Sequence, residues 1–149
     1  MTHYEESIEL SASPADVFTV VTDLTGMGRF SPEDEGGAWL GGATTAQLGA
    51  RFRGRNRNGK KEWTTLATVV RYEAPTHFSF KVTYLGIPVS TWTYALEPHD
   101  GGTRLTEGST DERPRWFALV TRGIRANRTA FTERSVHATL LALRDHFAA

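Results

Sequence analysis

Ala50-Arg-Phe-Arg-Gly-Arg-Asn-Arg-Asn-Gly59 runs straight into Lys60-Lys-Glu-Trp-Thr-Thr-Leu-Ala-Thr-Val69. In the first half arginine recurs at every second position, the period of a strand with two unlike faces. Asn58-Gly59 between the halves is a strong hairpin signal, because both residue types tolerate the positive φ of a two-residue turn. A turn on that pair predicts Arg57 opposite Lys60, Arg55 opposite Glu62, Gly54 opposite Trp63 and Phe52 opposite Thr65. Arg55 and Glu62 are then opposite charges across the ladder, and Trp63 covers a glycine. One face carries Phe52, Gly54, Asn56, Trp63, Thr65, Ala67 and Val69. The other carries Arg51, Arg53, Arg55 and Arg57.

The same pairing extends onward. A turn at Ala74-Pro75 sets Val69 opposite Phe80 and Ala67 opposite Val82. A loop at Gly86-Ile87-Pro88 sets Val82 opposite Trp92 and Phe80 opposite Tyr94. A turn around Asp100-Gly101 sets Leu96 opposite Leu105, Tyr94 opposite Glu107 and Glu97 opposite Arg104. Phe52, Trp63, Phe80, Trp92, Tyr94 and Leu105 thereby share one face. A one-residue slip at any turn would flip a strand, so the agreement of these turns is informative.

Before this run, Tyr4 to Leu10 reads as a strand with Tyr4, Glu6, Ile8 and Leu10 on one side. Ser13-Pro14-Ala15-Asp16 is a helix start, with a capping serine, proline in the first turn and an acid three residues after the cap. Val17, Phe18, Val20, Val21 and Leu24 give the apolar side, and Gly26 and Gly28 interrupt it. Within residues 29–49 a short strand is predicted near Ala38 to Leu40. After Pro114 the chain reads as helix. Its apolar stripe jumps from Phe117, Val120, Ile124 and Phe131 to Val136, Leu140, Leu143 and Phe147, which predicts a kink or break near Gly123 to Asn127. The fold class is α+β: a curved seven-stranded antiparallel sheet wrapped around a long C-terminal helix, with two short helices after the first strand.

The chain has 149 residues, 39% hydrophobic and 23% charged, which suits one soluble domain over 1–149. Seventeen basic and seventeen acidic residues give no net charge to draw nucleic acid. No apolar run reaches the length of a membrane span, and the acidic start lacks a secretory pattern; a cytoplasmic location is the expectation. With no cysteine, disulfides and thiolate metal sites are excluded. His3, His77, His99, His137 and His146 show no ligand spacing, and neither a metal nor a cofactor is expected.

One helix covers only part of so aromatic a face, and the remainder implies a cavity for a hydrophobic, ring-containing small molecule. The residues expected to line it are Trp39, Phe52, Trp63, Thr65, Phe80, Tyr84, Trp92, Tyr94, Glu107, Ile124 and Asn127. Asn56, Ser109 and Thr132 are further polar candidates. Glu107 stands out, because an inward carboxyl is costly unless bonded, and burial raises its pKa. Such a group either anchors a ligand hydroxyl or acts as a general acid or base with Tyr94. The arginine row either binds nucleic-acid phosphates or is the solvated outer face of the sheet. The solvated face is favoured, because the aromatics point the other way. Arg29, Arg122, Arg125 and Arg128 would flank the cavity mouth.

Five segments in order carry a resemblance over nearly the whole length: Ser11-Ala-Ser-Pro-Ala-Asp-Val-Phe18, Leu48-Gly-Ala-Arg-Phe-Arg-Gly-Arg-Asn56, Trp92-Thr-Tyr-Ala-Leu-Glu-Pro98, Gly102-Thr-Arg-Leu-Thr106 and Thr139-Leu-Leu-Ala-Leu143. With them the chain resembles the START-like (SRPBCC) superfamily and its helix-grip fold, in the polyketide cyclase/dehydratase-like branch. That superfamily includes lipid and hormone carriers as well as polyketide aromatases and cyclases. The resemblance implies a ligand cavity between sheet and helix and leaves the reaction open. Three functions remain in view. The first is binding of a hydrophobic small molecule. The second is a cyclase, aromatase or dehydratase reaction in the same pocket, catalysed by Glu107 and Tyr94. The third is a protein-interaction module with a filled core.

Overall fold

The structure, a computed structural model, describes the backbone of residues 3–31, 34–120 and 122–148, with side chains for all of these except 34, 35, 58, 118–120 and 122–131. The chain begins with β1 (His3–Leu10) and α1 (Pro14–Val21), and a 3₁₀ turn at Met27–Arg29 follows. Then come β2 (Asp34–Trp39), β3 (Arg51–Asn58), β4 (Lys61–Glu73), β5 (His77–Tyr84), β6 (Ile87–His99) and β7 (Gly102–Asp111). Two helices close the chain, α2 (Arg115–Val120) and α3 (Arg122–Ala148). The seven strands form one antiparallel sheet in the order β1-β7-β6-β5-β4-β3-β2. β2 to β7 are a meander, and β1 adds to its far edge beside β7.

Local chemistry explains the elements. Ser13 Oγ accepts from the Asp16 N–H at 3.2 Å, and Pro14 sits in the first turn of α1, as a capped helix start requires. The second short helix is reduced to the 3₁₀ turn. In β2, Gly37 is needed because a Cβ there would lie 1.9 Å from the Arg53 carbonyl oxygen, and its φ is +153°. α2 is described to Val120 and α3 from Arg122; the kink expected near Gly123 to Asn127 falls where side chains lie outside the described residues.

Two of the four predicted registers are observed and two are corrected. Val69 pairs with Phe80 and Ala67 with Val82; Tyr94 pairs with Glu107, Leu96 with Leu105 and Glu97 with Arg104. In the β3–β4 hairpin the turn residues are Gly59 and Lys60, so that Arg57 faces Glu62, Asn56 faces Trp63, Gly54 faces Thr65 and Phe52 faces Ala67. With this turn only its first residue needs positive φ, and Gly59 supplies it at +66°. Arg57, in place of Arg55, forms the ion pair with Glu62, and Trp63 does not cover Gly54. In the β5–β6 hairpin the turn is Leu85-Gly86, with a bulge between Val82 and Thr83. Phe80 therefore faces Trp92, Phe78 faces Tyr94 and Val82 faces Ser90. Both corrections move the pairing by two residues, which leaves each side chain on its predicted face.

Leu85 holds φ at +51° while 83% exposed. A leucine in this left-handed region is strained, whereas asparagine adopts it readily. Leu85→Asn is expected to raise stability by about 1 kcal/mol, measured by urea denaturation. An unchanged or lower midpoint would contradict the strain.

The core lies between the concave side of the sheet and the helices. Val17, Phe18 and Val21 of α1, Val69, Phe78, Leu96 and Leu105 of the sheet, and Val136, Leu140 and Leu143 of α3 are all buried. The α3 residues follow the expected stripe, and the helix packs chiefly over β1 and β7. Burial of each such aliphatic side chain contributes roughly 1.5–3 kcal/mol. Arg51, Arg53, Arg55 and Arg57 are exposed on the outer face. Among the described residues no helix is long and apolar enough to cross a membrane.

Candidate functional site

The face toward α3 is not fully packed. A cavity of about 150 Å³ lies between the sheet, the segment around Met27 and the described part of α3. Strand alternation builds its wall. Phe52 comes from β3, Trp63 and Thr65 from β4, Phe80 from β5, Trp92 and Tyr94 from β6, and Glu107 from β7. Gly54 leaves a bare place in that wall between Phe52 and Asn56. Asn56 Nδ2 donates to Thr65 Oγ1 at 3.0 Å, which ties two polar wall residues together. A void of this volume accepts about one benzene ring.

Glu107 is the unusual group. β7 turns Thr103, Leu105, Glu107 and Ser109 inward, and all four are buried, Glu107 to 3% exposure. Its strand neighbours are Tyr94 on β6 and Glu6 on β1. The Tyr94 hydroxyl donates to Glu107 Oε2 at 2.7 Å. Oε1 is buried with no hydrogen-bond partner among the described residues. Burial pushes the Glu107 carboxyl up from 4.5 to about 8; the Tyr94 hydrogen bond opposes that rise and the Glu6 charge adds to it. Glu107 is therefore mainly protonated near neutral pH. Glu6 has other partners: Tyr4 donates to its Oε1 at 3.0 Å, and His137 Nδ1 lies 2.9 Å from its Oε2. Burial, together with the same Glu6 contact, raises the Tyr4 pKa.

Of the residues expected at the cavity, Phe52, Trp63, Thr65, Phe80, Trp92, Tyr94 and Glu107 line it. Trp39 does not. It packs edge-to-face on Phe52 with ring centres 5.1 Å apart, one strand outside the wall. Tyr84 does not line it either, because it is the last residue of β5, beyond the bulge and beside the turn. The side chains of Ile124 and Asn127 lie outside the described residues, as do those of Arg122, Arg125 and Arg128. Among the polar candidates Asn56 and Thr132 line the cavity, whereas Ser109 is buried without lining it. Arg29 stacks over the Phe30 ring at 4.7 Å. Sequence reasoning missed Ser135 and Thr139 of α3 and Leu24, Met27 and Ser31 before β2. The signal for the first two was present: Thr132, Ser135 and Thr139 are spaced to share one helix face.

Comparison with known proteins places the molecule. The family described as polyketide cyclase/dehydrase and lipid transport matches residues 1–146. Among curated proteins none matches the chain. The solution structure of the polyketide-cyclase-like protein Cgl2372 from Corynebacterium glutamicum is 28% identical, with a TM-score of 0.59 over 95% of this chain and 88% of that one. TTHA0849 from Thermus thermophilus is 16% identical, with a TM-score of 0.70 over 99% and 97% of the two chains. Protein Ms6760 from Mycobacterium smegmatis is 15% identical, with a TM-score of 0.69 over 98% and 90%. At such identities the last two likenesses speak for the helix-grip fold alone. The match over residues 1–146 decides the family: this chain belongs to the polyketide cyclase/dehydrase and lipid transport family.

Proposed function

We propose that the protein binds a small hydrophobic molecule, with its ring in the cavity between the sheet and α3. One observation carries this reading: a void walled by Phe52, Trp63, Phe80 and Trp92 contains a buried carboxyl with one oxygen unpartnered among the described residues. A filled core would leave neither the space nor the unmet polar atom. The volume favours one ring over a fused polycycle. Trp63 and Trp92 line the cavity, so occupancy reports itself in tryptophan fluorescence. Titration with single-ring aromatics, a fused-ring series and medium-chain fatty acids is expected to give a saturable change with the single-ring compounds first. Trp92→Phe is expected to remove part of that signal. No saturable response across the panel up to millimolar concentration would defeat the proposal.

A second reading rests on the Tyr94–Glu107 pair. A carboxyl that holds its proton at neutral pH beside a tyrosine hydroxyl is suited to general acid–base work. The family description, which includes cyclases and dehydrases, supports it. Under this reading Glu107→Gln abolishes turnover of a bound ketone-bearing substrate while the fluorescence titration persists. Equal turnover by the variant would exclude it.

A further inference from the structure

The unpartnered oxygen of Glu107 restricts what the cavity can hold, given the reading of the cavity as a binding site. Tyr94 donates to Oε2, so that oxygen acts as an acceptor. In a neutral carboxyl the proton then belongs on Oε1, which becomes a donor with nothing to donate to among the described residues. The charges around it favour this form. Glu6 faces Glu107 from β1, with Tyr4 and His137 bonded to Glu6 rather than to Glu107. Tyr94 faces it from β6, and α3 contributes only the hydroxyls of Thr132, Ser135 and Thr139 to the described lining. No Lys, Arg or His is among the described lining residues.

We propose that the ligand is uncharged and presents a single strong hydrogen-bond acceptor, a carbonyl oxygen, to Oε1 of Glu107, while its ring packs against Phe80 and Trp92. A carboxylate ligand would bring a further negative charge beside Glu6 and meet no cation among the described lining residues. An ammonium ligand would require Glu107 to give up its proton in a dry site and would itself lose its hydration. A carbonyl requires neither, and it satisfies the one donor left unmet.

Three probes of nearly one shape test this: acetophenone; α-methylstyrene, in which a methylene replaces the carbonyl oxygen; and 1-phenylethylamine as the ammonium ion. Affinities are read by tryptophan fluorescence and calorimetry at pH 6.5 and pH 9.5, with folding of each variant checked by circular dichroism. The wild type is expected to prefer acetophenone over α-methylstyrene by up to about tenfold at pH 6.5, and to lose that preference at pH 9.5 as Glu107 ionises. Glu107→Gln keeps an N–H donor, so its preference persists at both pH values. Glu107→Leu binds the two probes equally. Equal binding of acetophenone and α-methylstyrene by the wild type at pH 6.5 would overturn the carbonyl assignment while leaving the cavity a binding site. Preference for the ammonium probe would overturn it in favour of an ionised Glu107. Failure of all three to bind, with a saturable response elsewhere in the panel, would also overturn the carbonyl assignment, whereas silence across the whole panel would remove the binding reading itself.

Discussion

Glu107→Gln is expected to make stability nearly independent of pH over the range in which the wild type loses it steadily. In the unfolded chain this carboxyl gives up its proton near 4.5, whereas in the fold it keeps it until about 8. Between those values the native state binds one more proton than the unfolded state, so stability falls as pH rises. The slope is about 1.4 kcal/mol per pH unit, and the total loss is on the order of 4–5 kcal/mol once pH exceeds the folded value. That is a large share of the roughly 5–15 kcal/mol that holds a domain together. The five histidines and all other charged groups are common to both proteins, so the difference between their urea-denaturation curves from pH 5.5 to 9 isolates Glu107. The variant should exceed the wild type by only about 1.4 kcal/mol near pH 5.5 and by about 4–5 kcal/mol at pH 9. Parallel curves for the two proteins would show that Glu107 is not buried as described.

Phe78→Ala should cost about 3–5 kcal/mol, the largest effect expected of a core truncation in this sheet. Phe78 is 1% exposed, and its ring meets Phe18, Tyr72, Phe80 and Tyr94 at centroid separations of 6.4, 6.3, 5.7 and 6.2 Å. It is where α1, the β4–β5 hairpin and the cavity wall come together. Its loss also withdraws support from Tyr94, whose hydroxyl holds Glu107. Leu48→Ala is the control, since Leu48 is 69% exposed and its truncation should change stability by no more than about 0.5 kcal/mol. A Phe78→Ala variant as stable as the control would contradict the packing described.

Much of this was legible because a sheet has only two faces. The Gly59-Lys60 turn, and the Leu85-Gly86 turn together with the bulge beside it, each displaced the predicted pairing by two residues. Partners changed, but Trp63, Phe80, Trp92 and Glu107 still reached the concave side. The inward position of Glu107 followed from the Asp100-Gly101 turn alone, which holds as predicted. The bulges were not legible. The break in pairing between Val69 and Arg71 has no glycine or proline to mark it, and Pro88, which pairs with Thr83 at the other break, reads equally well as part of a loop. Trp39 was misplaced for a related reason: burial of an aromatic does not say whether it faces the void or the back of another ring. The hydroxyls of Ser135 and Thr139 were overlooked because attention to Val136, Leu140 and Leu143 treated α3 as a purely apolar lid.

The position of β1 has a consequence for how the molecule is made. His3 Nδ1 lies 2.7 Å from Thr110 Oγ1, a bond spanning 107 positions of chain. At about 5–20 residues per second of synthesis, β1 leaves the ribosome roughly 5–20 s before β7 can receive it. Through that interval Ile8 and Leu10 have no ladder to join, while the β3–β4 and β4–β5 hairpins can already close on local turns. Closure of such distant pairs is slow, so the nascent chain carries β1 unpaired, with Ile8 and Leu10 uncovered, until β7 has been translated.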